Sequence, residues 1–445
     1  MSRLDIVPAY LGARWRARTL HGALLRDWQD ARVRTLVDHV RARSAYHRQH
    51  WQGLPTSEWR SFPVVDKAQM MAGFDQFTTI GVTRDDAMRI ALDAESRRDF
   101  GATVGGCTVG LSSGTSGHRG LFLVSPDEQT RWAGTILARA IPDLRPGHRV
   151  AFFLRANSRL YERTSSIVQF RFFDLMQPVA ASIAQLREFR PRLIVGPPSL
   201  LGMLADAKVR GEPAIAPSRL ISVAEVLEPQ DRARLESVFQ APVGEVYQCT
   251  EGLVAVTCRR GTLHVQEDVM VVQADAVTST DPTRVSPVVT DVWRRTQPII
   301  RYRLGDVLRL DERPCACGTD WRRIAAVEGR QDDLCWFPQS DDTLRAVFPD
   351  TMRRMVLLAD ARITEYRVEQ HEAGAVRIQV EVSEPTAFGE IAVRIQQAVR
   401  DSLRDYECSA TEVSVSEGLT RLLPGQKRRR VVCSWRERSP LPVVE

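Results

Sequence analysis

Leu111-Ser-Ser-Gly-Thr-Ser-Gly-His-Arg-Gly120 is the stretch that most constrains the interpretation of this chain. One strand-like run, from Cys107 to Leu111, leads into it, and a second, from Leu121 to Val124, leads out. Glycines let the backbone adopt positive φ angles and approach an anion closely. Backbone N–H groups and hydroxyls can then donate to phosphate oxygens. The stretch predicts a phosphate-binding turn, with a flexible surface loop as the alternative; its candidate residues are Ser112, Ser113, Gly114, Thr115, Ser116 and Gly117.

This loop differs from the Walker-type phosphate loop in two respects. It lacks the closing Gly-Lys-Ser/Thr, and the segment after it has the pattern of a strand rather than of a helix. His118 and Arg119 stand near its end. A cationic role at that end would therefore fall to an imidazole or a guanidinium.

The segments after the loop alternate between short apolar runs and helical patterns. We predict strands at 150–154, 193–195, 220–223 and 243–247, with helices at 198–210 and 229–240 between them. This alternation is typical of an α/β layer with a largely parallel sheet. The first 50 residues have the pattern of two helices.

From about residue 262 the pattern changes to short strands, which we place at 264–265, 269–273, 285–291 and 300–310. A charged, glycine-containing stretch follows at 328–333. Beyond it we predict strands at 363–370, 376–382 and 411–417, and a helix at 388–406. Ile391, Ile395, Val399 and Leu403 would form one face of that helix. The sequence therefore predicts a small C-terminal α+β domain.

Composition and charge favour an ordinary globular protein. The 445 residues carry a formal net charge of +6, and the arginines are spread along the chain rather than gathered in one stripe, so nucleic-acid binding is not predicted. No apolar run reaches the roughly 18 residues of a membrane span. The N-terminus lacks the apolar core of a secretory signal, so we expect a cytoplasmic location. The basic run 427–430 could by itself be a solvated tail.

Lysine is rare in this chain. Of 61 basic residues only Lys67, Lys208 and Lys427 are lysines, and the rest are arginines. Arginine has replaced lysine wherever charge alone matters, so the remaining lysines are enriched at positions that need a compact ammonium group.

The eight cysteines suggest metal binding or core packing rather than disulfides, given the chain length and the absence of a signal peptide. Cys258 and His264, together with Cys315 and Cys317, supply four soft ligands suited to a tetrahedral structural zinc. The alternative is a set of buried thiols and a surface histidine.

Five further segments follow the loop in order: Ser222-Val-Ala-Glu-Val-Leu227, Val246-Tyr-Gln-Cys-Thr-Glu-Gly252, Pro298-Ile-Ile-Arg-Tyr-Arg-Leu-Gly-Asp306, Glu328-Gly-Arg-Gln-Asp-Asp333 and Leu423-Pro-Gly-Gln-Lys-Arg-Arg-Arg430. Together with the loop they strongly resemble the motifs of the adenylate-forming superfamily, which includes acyl-CoA synthetases, peptide-synthetase adenylation domains and luciferases. The resemblance is closest to the phenylacetate–CoA ligase branch, which also includes a deazaflavin-coenzyme synthetase. The stretches RTLVDHVRARSAYHR, FPVVDKAQM, RPRLIVGPPSLL and CACG carry it.

The match departs from the superfamily pattern at three places. The loop has His118 and Arg119 where the usual loop ends in Gly-Lys-Pro-Lys. Gln248 stands where the superfamily often has glycine, and Gln426 precedes Lys427 where the family has glycine.

The resemblance implies a fold with a large N-terminal adenylate-forming domain of layered sheets and helices (1–327), a hinge (328–333) and a small mobile α+β C-terminal domain (334–445). It also implies roles for single residues. The loop would bind the ATP phosphates, Ala224 and Glu225 would lie beside the purine, and Tyr247 belongs to the next nucleotide-binding motif. In that motif Thr250 would contact the α-phosphate and Glu251 would hold Mg²⁺. Asp306 would bind the ribose, Arg330 the ribose or a phosphate, and Lys427 both the substrate carboxylate and the nucleotide.

The function implied is activation of a small acid by ATP, with AMP and pyrophosphate as products. One hypothesis is an aryl carboxylic acid passed to CoA or a carrier thiol. A second is a diazotase that activates nitrite for an aryl amine in a natural-product pathway, and a third is a coenzyme adenylyltransferase. A non-catalytic ATP-binding module is the fourth. The oligomeric state is left open, with a homodimer as one option.

Candidate pocket residues for an aromatic acid lie in the segments where the family varies most. They are Phe152, Phe153, Arg155, Asn157, Tyr161, Phe172 and Phe173. Core packing of the phenylalanines on a strand is the alternative.

Overall fold

Apolar residues repeat along the chain with the periods of both strands and helices, and the computed structural model shows which segments follow which period. It describes residues 6–112, 119–141, 147–154, 168–212, 215–277, 281–341, 343–420 and 427–435. Most of the loop candidates (Ser113, Gly114, Thr115, Ser116 and Gly117) and three pocket candidates (Arg155, Asn157 and Tyr161) lie outside these residues.

The helices are α1 Ile6–Thr19, α2 Gly22–Arg43, α3 Ala45–His50, α4 Lys67–Ala72, α5 Phe74–Phe77, α6 Arg84–Arg97, α7 Pro126–Ala140, α8 Val179–Phe189, α9 Pro198–Val209, α10 Pro229–Phe239, α11 Pro349–Leu357 and α12 Phe388–Asp405. The prediction of two helices before residue 50 was wrong, because the chain turns at Ser44 and a third helix begins there. The Ser44 side chain accepts a hydrogen bond from the backbone N–H of His47 and so caps α3.

The strands are β1 Thr103–Val104, β2 Cys107–Leu111, β3 Leu121–Val124, β4 His148–Leu154, β5 Val168–Asp174, β6 Leu193–Gly196, β7 Arg219–Val223, β8 Val243–Cys249, β9 Gly252–Thr257, β10 Leu263–Val265, β11 Met270–Ala276, β12 Arg284–Asp291, β13 Tyr302–Arg303, β14 Asp306–Asp311, β15 Arg323–Arg330, β16 Cys335–Pro338, β17 Leu344–Val347, β18 Ile363–Glu372, β19 Ala375–Val382, β20 Glu412–Glu417 and β21 Val431–Cys433. The predicted strand at 300–310 is two strands, since Gly305 adopts a positive φ of 73° and ends the first of them.

The chain divides into two compact units. The first comprises residues 1–275, 285–304 and 310–325, and the second comprises 276–284, 305–309 and 326–445. Strands β14 and β15 each contribute residues to both units. The hinge at 328–333 and the domain limits set beside it stay a prediction.

A parallel sheet forms the centre of the first unit. Its strands run in the order β5, β4, β6, β7, β8, all parallel, and β9 then continues antiparallel to β8. Helices α8, α9 and α10 pack on one face through a cluster that includes Ile194, Leu204 and Leu220. Residues of α7 cover the other face, where Val150 and Ile221 are buried. A parallel sheet covered on both faces is the expected α/β arrangement, and it confirms the predicted fold class.

The N-terminal helices pack against other parts of the same unit. Helix α1 lies so close to α7 that a Cβ added at Gly134 would stand 2.6 Å from the Cβ of Ala9. Helix α2 buries Val33, Leu36 and Val40 against Trp51 and Trp59.

The second unit is an α+β sandwich built on a four-stranded sheet. The order is β20, β19, β18, β21, with the two central strands antiparallel and both outer strands parallel to their neighbours. The predicted apolar face of α12 is confirmed, because Ile391, Ile395, Val399 and Leu403 are all fully buried. Among the described residues no helix is long and apolar enough to cross a membrane.

Candidate active site

Three candidate segments leave the parallel sheet at the same edge. Strands β6, β7 and β8 are neighbours, and their carboxyl ends are followed by Pro197–Pro198, Ala224–Glu225 and Thr250–Glu251 respectively. Ligands of open α/β sheets bind at the carboxyl ends of the strands. The sheet therefore brings two of the predicted nucleotide-binding segments to one edge.

The turn after β7 has an unusual backbone. Ala224 adopts a φ of 69°, in the left-handed region that favours glycine, and the backbone N–H of Glu225 bonds to the carbonyl of Val223 at 2.9 Å. The Glu225 carboxylate accepts the backbone N–H and the hydroxyl of Ser199, at 3.1 and 3.0 Å. Its side chain thus binds the start of α9, and the prediction that this turn lies beside a purine stays a prediction.

The structure describes the two ends of the Ser/Gly loop, Ser112 and Arg119–Gly120, which we call the neck of the loop. The Ser112 N–H bonds to the Gly120 carbonyl at 2.7 Å, and the Gly120 N–H bonds to the Ser112 hydroxyl at 2.8 Å. The ammonium group of Lys67 donates to the same hydroxyl at 3.2 Å. Lys67 was named among the three lysines but was given no role in the site, and the rarity of lysine was the signal that could have assigned it there.

A buried arginine joins the exit strand of the loop to the Thr-Glu turn. Arg294 donates to the Thr250 carbonyl at 3.1 Å and to the Leu123 carbonyl at 3.2 Å. Gln297 also bonds to β3, accepting the Leu123 N–H at 2.8 Å and donating to the Leu121 carbonyl at 3.1 Å. The segment 291–297 therefore holds β3 beside Thr250, and no motif in the sequence had indicated it.

The segment 291–297 is itself fixed by Glu128, in the first turn of α7. This carboxylate accepts the backbone N–H groups of Arg295 and Thr296 at 2.6 and 2.9 Å, and that of Ser125 at 2.7 Å. Although burial acts in the other direction, Arg294 and these three N–H groups hold the pKa of Glu128 below its usual value. Its capping-box spacing after Ser125 was the signal in the sequence.

Thr250 and Glu251 carry the oxygen atoms of this turn. The Thr250 hydroxyl donates to the Glu251 carboxylate at 2.9 Å. Tyr302 is buried, and burial together with the nearby negative charge of Glu251 raises the pKa of its hydroxyl. Tyr247 is partly buried on β8. A carboxylate oxygen is the ligand type that Mg²⁺ prefers, so the chemistry of Glu251 fits that ion.

The glycine after Glu251 has no room for a side chain. Gly252 has a φ of 152°, and a Cβ there would lie 2.6 Å from the methyl group of Met270 and 2.7 Å from an oxygen of Asp291. Asp291 is completely buried, which raises its pKa to about 7 despite nearby Arg294. Residue 252 must therefore be glycine for the Thr-Glu turn to keep its position.

Two predicted ribose-binding residues lie together in the second unit. The Asp306 carboxylate pairs with the Arg330 guanidinium at 3.0 Å, and Asp306 is buried whereas Arg330 is more exposed. The Gln331 N–H bonds to the Gly305 carbonyl at 2.9 Å and fixes the turn before Asp306. The Asp306 motif and the predicted hinge motif thus meet.

The basic run after Lys427 is not a solvated tail. Arg428 and Arg430 both pair with Glu365, each at 2.7 Å, and Arg429 pairs with buried Asp333. Lys427 itself is partly buried just before them. These ion pairs fix the backbone that follows Lys427, while Gly425 and Gln426 lie outside the described residues.

The four predicted zinc ligands converge within the first unit. The ligand atoms of Cys258, His264, Cys315 and Cys317 all lie within 4.8 Å of one another. The sulfurs of Cys258 and Cys315 are 3.9 Å apart, and the Cys317 sulfur is 3.5 Å from Nε2 of His264. Nδ1 of His264 is 2.9 Å from the Trp321 carbonyl, which leaves Nε2 for a metal. The donor set and its spacing fit a tetrahedral zinc.

The pocket candidates on β4 and β5 separate into two faces. Phe153 and Phe173 are buried and stack with ring centroids 4.7 Å apart, so they belong to the core rather than to a pocket. Phe152 and Phe172 alternate to the other face and are partly buried. Phe152 there contacts Phe170, with centroids 5.6 Å apart.

Comparison with known proteins finds one partial sequence relative and several solved structures of similar fold. No protein-family model matches the chain. The chain is 26% identical over 275 residues to the phenylacetate-coenzyme A ligase of Thermus thermophilus, which is 55% of this chain and 59% of that ligase.

Several solved structures share the fold. The 2-hydroxyisobutyryl-CoA ligase in its postadenylation state, in complex with R3-HIB-AMP, superposes with a TM-score of 0.70 at 16% identity, covering 94% of this chain and 91% of that one. The GH3.15 acyl acid amido synthetase gives a TM-score of 0.56 at 14% identity, covering 90% and 89%. Likeness at these identities concerns the fold.

Proposed function

We propose that this chain, which has the fold of the adenylate-forming superfamily, is an AMP-forming ligase that activates a small carboxylic acid with ATP. The carboxylate oxygen attacks the α-phosphorus, the bond to the β-phosphate oxygen breaks, and pyrophosphate leaves. The observation that carries the proposal is the link through Arg294, which holds the exit strand of the Ser/Gly loop beside the turn of Thr250 and Glu251.

The reaction needs alignment and charge neutralisation rather than a nucleophile from the protein. Lys67 at the neck of the loop and the loop N–H groups would bind phosphate oxygens. Glu251 would hold Mg²⁺, which neutralises charge on the phosphates. Asp306 would accept hydrogen bonds from the ribose hydroxyls, and Lys427 would bind the substrate carboxylate and the α-phosphate.

We further propose that the acid is an aryl carboxylic acid and that CoA is the acceptor. The sequence similarity to a phenylacetate-coenzyme A ligase supports this pairing. Phe152 and Phe172, on the partly buried face of β4 and β5, offer aromatic surface to such a ring. In the second step the thiol attacks the acyl carbon and AMP leaves, which gives a thioester.

A screen of AMP release tests the substrate and the acceptor together. Purified protein with ATP and Mg²⁺ is assayed with a panel of aryl acids, with and without CoA, and with nitrite plus an aryl amine. Aryl-acid-dependent AMP release and a CoA thioester are expected. Nitrite-dependent AMP release without a thioester would identify the diazotase instead, and ATP binding without AMP release on any substrate would reject the enzyme assignment.

The catalytic lysine can be tested with a matched control. Lys427→Ala should abolish acid-dependent pyrophosphate exchange while ATP affinity changes by a few fold, about 1 kcal/mol, because the lysine acts on the transferring group. Lys208→Ala is the control, since Lys208 lies on α9 with its ammonium 5.1 Å from the Phe239 ring; it should retain exchange. Full exchange by Lys427→Ala would refute the role assigned to Lys427.

A further inference from the structure

Three arginines lie around one tryptophan in the first unit, and a fourth arginine follows that tryptophan two residues later. The guanidinium carbons of Arg32, Arg131 and Arg16 lie 4.0, 4.5 and 5.5 Å from the centroid of a Trp293 ring. Arg295 is two residues further along the chain. We call Arg16, Arg32, Arg131, Arg295 and Trp293 the arginine cluster. Its members come from α1, α2, α7 and the segment 291–297, so the fold itself brings them together.

The cluster has too few carboxylates for its charge. Asp268 pairs with Arg16 at 2.8 Å, but the same oxygen also pairs with Arg139 at 2.9 Å. Glu128 gives its oxygens to backbone N–H groups. In the part of the chain that the structure describes, Arg32, Arg131 and Arg295 have no carboxylate partner.

Arg32 is the least well compensated member. It is half-buried, and its Nε is a buried donor with no hydrogen-bond partner among the described residues. Burial and the positive charges of Arg295, Arg131 and Arg16 lower its pKa. Stacking on the indole ring compensates part of the cost of the clustered charges. An anion bound between the guanidinium groups would remove the rest.

We propose that the arginine cluster is a binding site for a phosphoryl group, carried either by free inorganic phosphate or by a phosphate monoester. A phosphoryl dianion offers three oxygens and two charges to the guanidinium groups of half-buried Arg32 and exposed Arg131 and Arg295, and guanidinium forks bind such oxygens in pairs. A carboxylate, with two oxygens and one charge, leaves the cluster under-neutralised.

The site borders the candidate active site along the segment 291–297. Arg294, between Trp293 and Arg295, donates to the carbonyls of Thr250 and Leu123. A phosphoryl group bound to Arg295 therefore acts on the segment that positions the Thr-Glu turn. The binding site itself does not depend on the proposed function, since it is built from different side chains.

Calorimetry with defined anions tests the site on the full-length protein. Inorganic phosphate and ribose 5-phosphate are titrated separately in a chloride buffer with EDTA, and acetate serves as the carboxylate arm. Wild-type protein should bind inorganic phosphate or ribose 5-phosphate, or both, and bind acetate at least about tenfold more weakly, a difference of about 1.4 kcal/mol. Binding of one phosphoryl ligand and not the other identifies the source; equal binding of acetate, or no binding of either phosphoryl ligand, would overturn the proposal.

Paired variants locate the binding. Arg32→Gln with Arg131→Gln should weaken phosphoryl binding at least about tenfold. Arg89→Gln with Arg97→Gln removes the same charge from two exposed arginines of α6 and should leave binding unchanged. Lys67→Gln tests instead for phosphate bound at the Ser/Gly loop, where Lys67 donates to Ser112. Loss of binding in Lys67→Gln, with retention in the Arg32/Arg131 variant, would assign the anion to the loop and refute the cluster.

Thermal unfolding distinguishes a variant that has lost the binding site from one that has failed to fold. The phosphoryl ligand should raise the melting temperature of the wild type by binding to the native state, and it should not raise that of the Arg32/Arg131 variant. In phosphate-free buffer this variant should melt no lower than the wild type, because it loses like-charge repulsion. If phosphate raised the melting temperature of the variant as much as that of the wild type, the proposal would be contradicted.

Discussion

At the scale of single residues, His47 is the clearest example of a side chain whose chemistry is set by burial. It is fully buried, with its ring 4.4 Å from the Phe77 ring and 4.7 Å from the Trp51 ring. Nδ1 lies 2.8 Å from the Ser44 hydroxyl, and Nε2 has no hydrogen-bond partner among the described residues. Burial, with a smaller effect of nearby His50, lowers the pKa of His47 to about 3.

This burial predicts a loss of stability in acid. The unfolded histidine takes up a proton near its usual pKa of about 6.5, whereas the folded one stays neutral. Its contribution is therefore complete above about pH 6.5 and falls by up to about 1.4 kcal/mol per pH unit as the pH drops toward 3. His47→Phe keeps the aromatic contacts without the proton site. Denaturant unfolding at pH 7 and pH 5 should show a smaller pH dependence in the variant, and an equal dependence would contradict the burial argument.

Single residues were predictable where their chemistry depends on local sequence. Motifs in the sequence named six of the candidate residues: Ala224, Glu225, Thr250, Glu251, Asp306 and Lys427. The role of each residue in binding or catalysis stays a prediction. Arg294 and Gln297 were not named, because their roles depend on contacts with β3, far away in the sequence. The carboxylate of Glu225 bonds to Ser199, a contact that no motif indicates.

At the scale of elements, the contact between α1 and α7 depends on a glycine. A Cβ at Gly134 would lie 2.6 Å from the Cβ of Ala9 and 2.7 Å from the backbone nitrogen of Tyr10, so the two helices would have to move apart. Backbone atoms cannot move aside to make room for a new methyl group, whereas the end of a flexible side chain can.

Gly134→Ala should therefore destabilise the protein by about 1–3 kcal/mol, the usual cost of overpacking. Gly202→Ala is the matched control. Gly202 lies inside α9, and its added Cβ would meet one arginine nitrogen at 3.9 Å. The control should stabilise by about 0.5–1 kcal/mol because alanine is the better helix former. Chemical denaturation of both variants gives the comparison, and a Gly134→Ala variant as stable as the control would refute the close packing.

Elements were predictable where periodicity was strong. The parallel strands and the amphipathic α12 follow the pattern read from the sequence. The region 300–310 was predicted as one strand, but Arg301 and Gly305 adopt positive φ angles there. These positive φ angles depend on pairing with strands distant in the sequence, and the periodicity of apolar residues carries no information about that pairing.

At the scale of the whole molecule, the predicted α/β fold is confirmed, since the 2-hydroxyisobutyryl-CoA ligase structure shares it over 94% of this chain. The Cys/His group shows how distant segments are joined. Cys258 and His264 meet Cys315 and Cys317, and the Trp321 indole N–H bonds to the Leu20 carbonyl at 2.9 Å.

We therefore predict one zinc ion per chain, with a structural role. Purified protein should contain about one equivalent of zinc by elemental analysis, and chelation should lower its melting temperature, because metal binding contributes to folding stability. Cys315→Ser with Cys317→Ser should lose the metal and become insensitive to chelator, whereas Cys249→Ser should retain it. Metal-free wild-type protein with an unchanged melting temperature would exclude the zinc.

The pairing of residue 65 with residues 301 and 303 affects how the protein is made. Val65 bonds through its backbone to Arg301 and Arg303, and Lys67 stands two residues beyond it at the neck of the loop. During translation both sides of this neck leave the ribosome well before residues 301–303, which pair with Val65. Under the proposed function, a nascent chain should thus acquire affinity for ATP late in synthesis, and fragments that end before residue 291 should lack it.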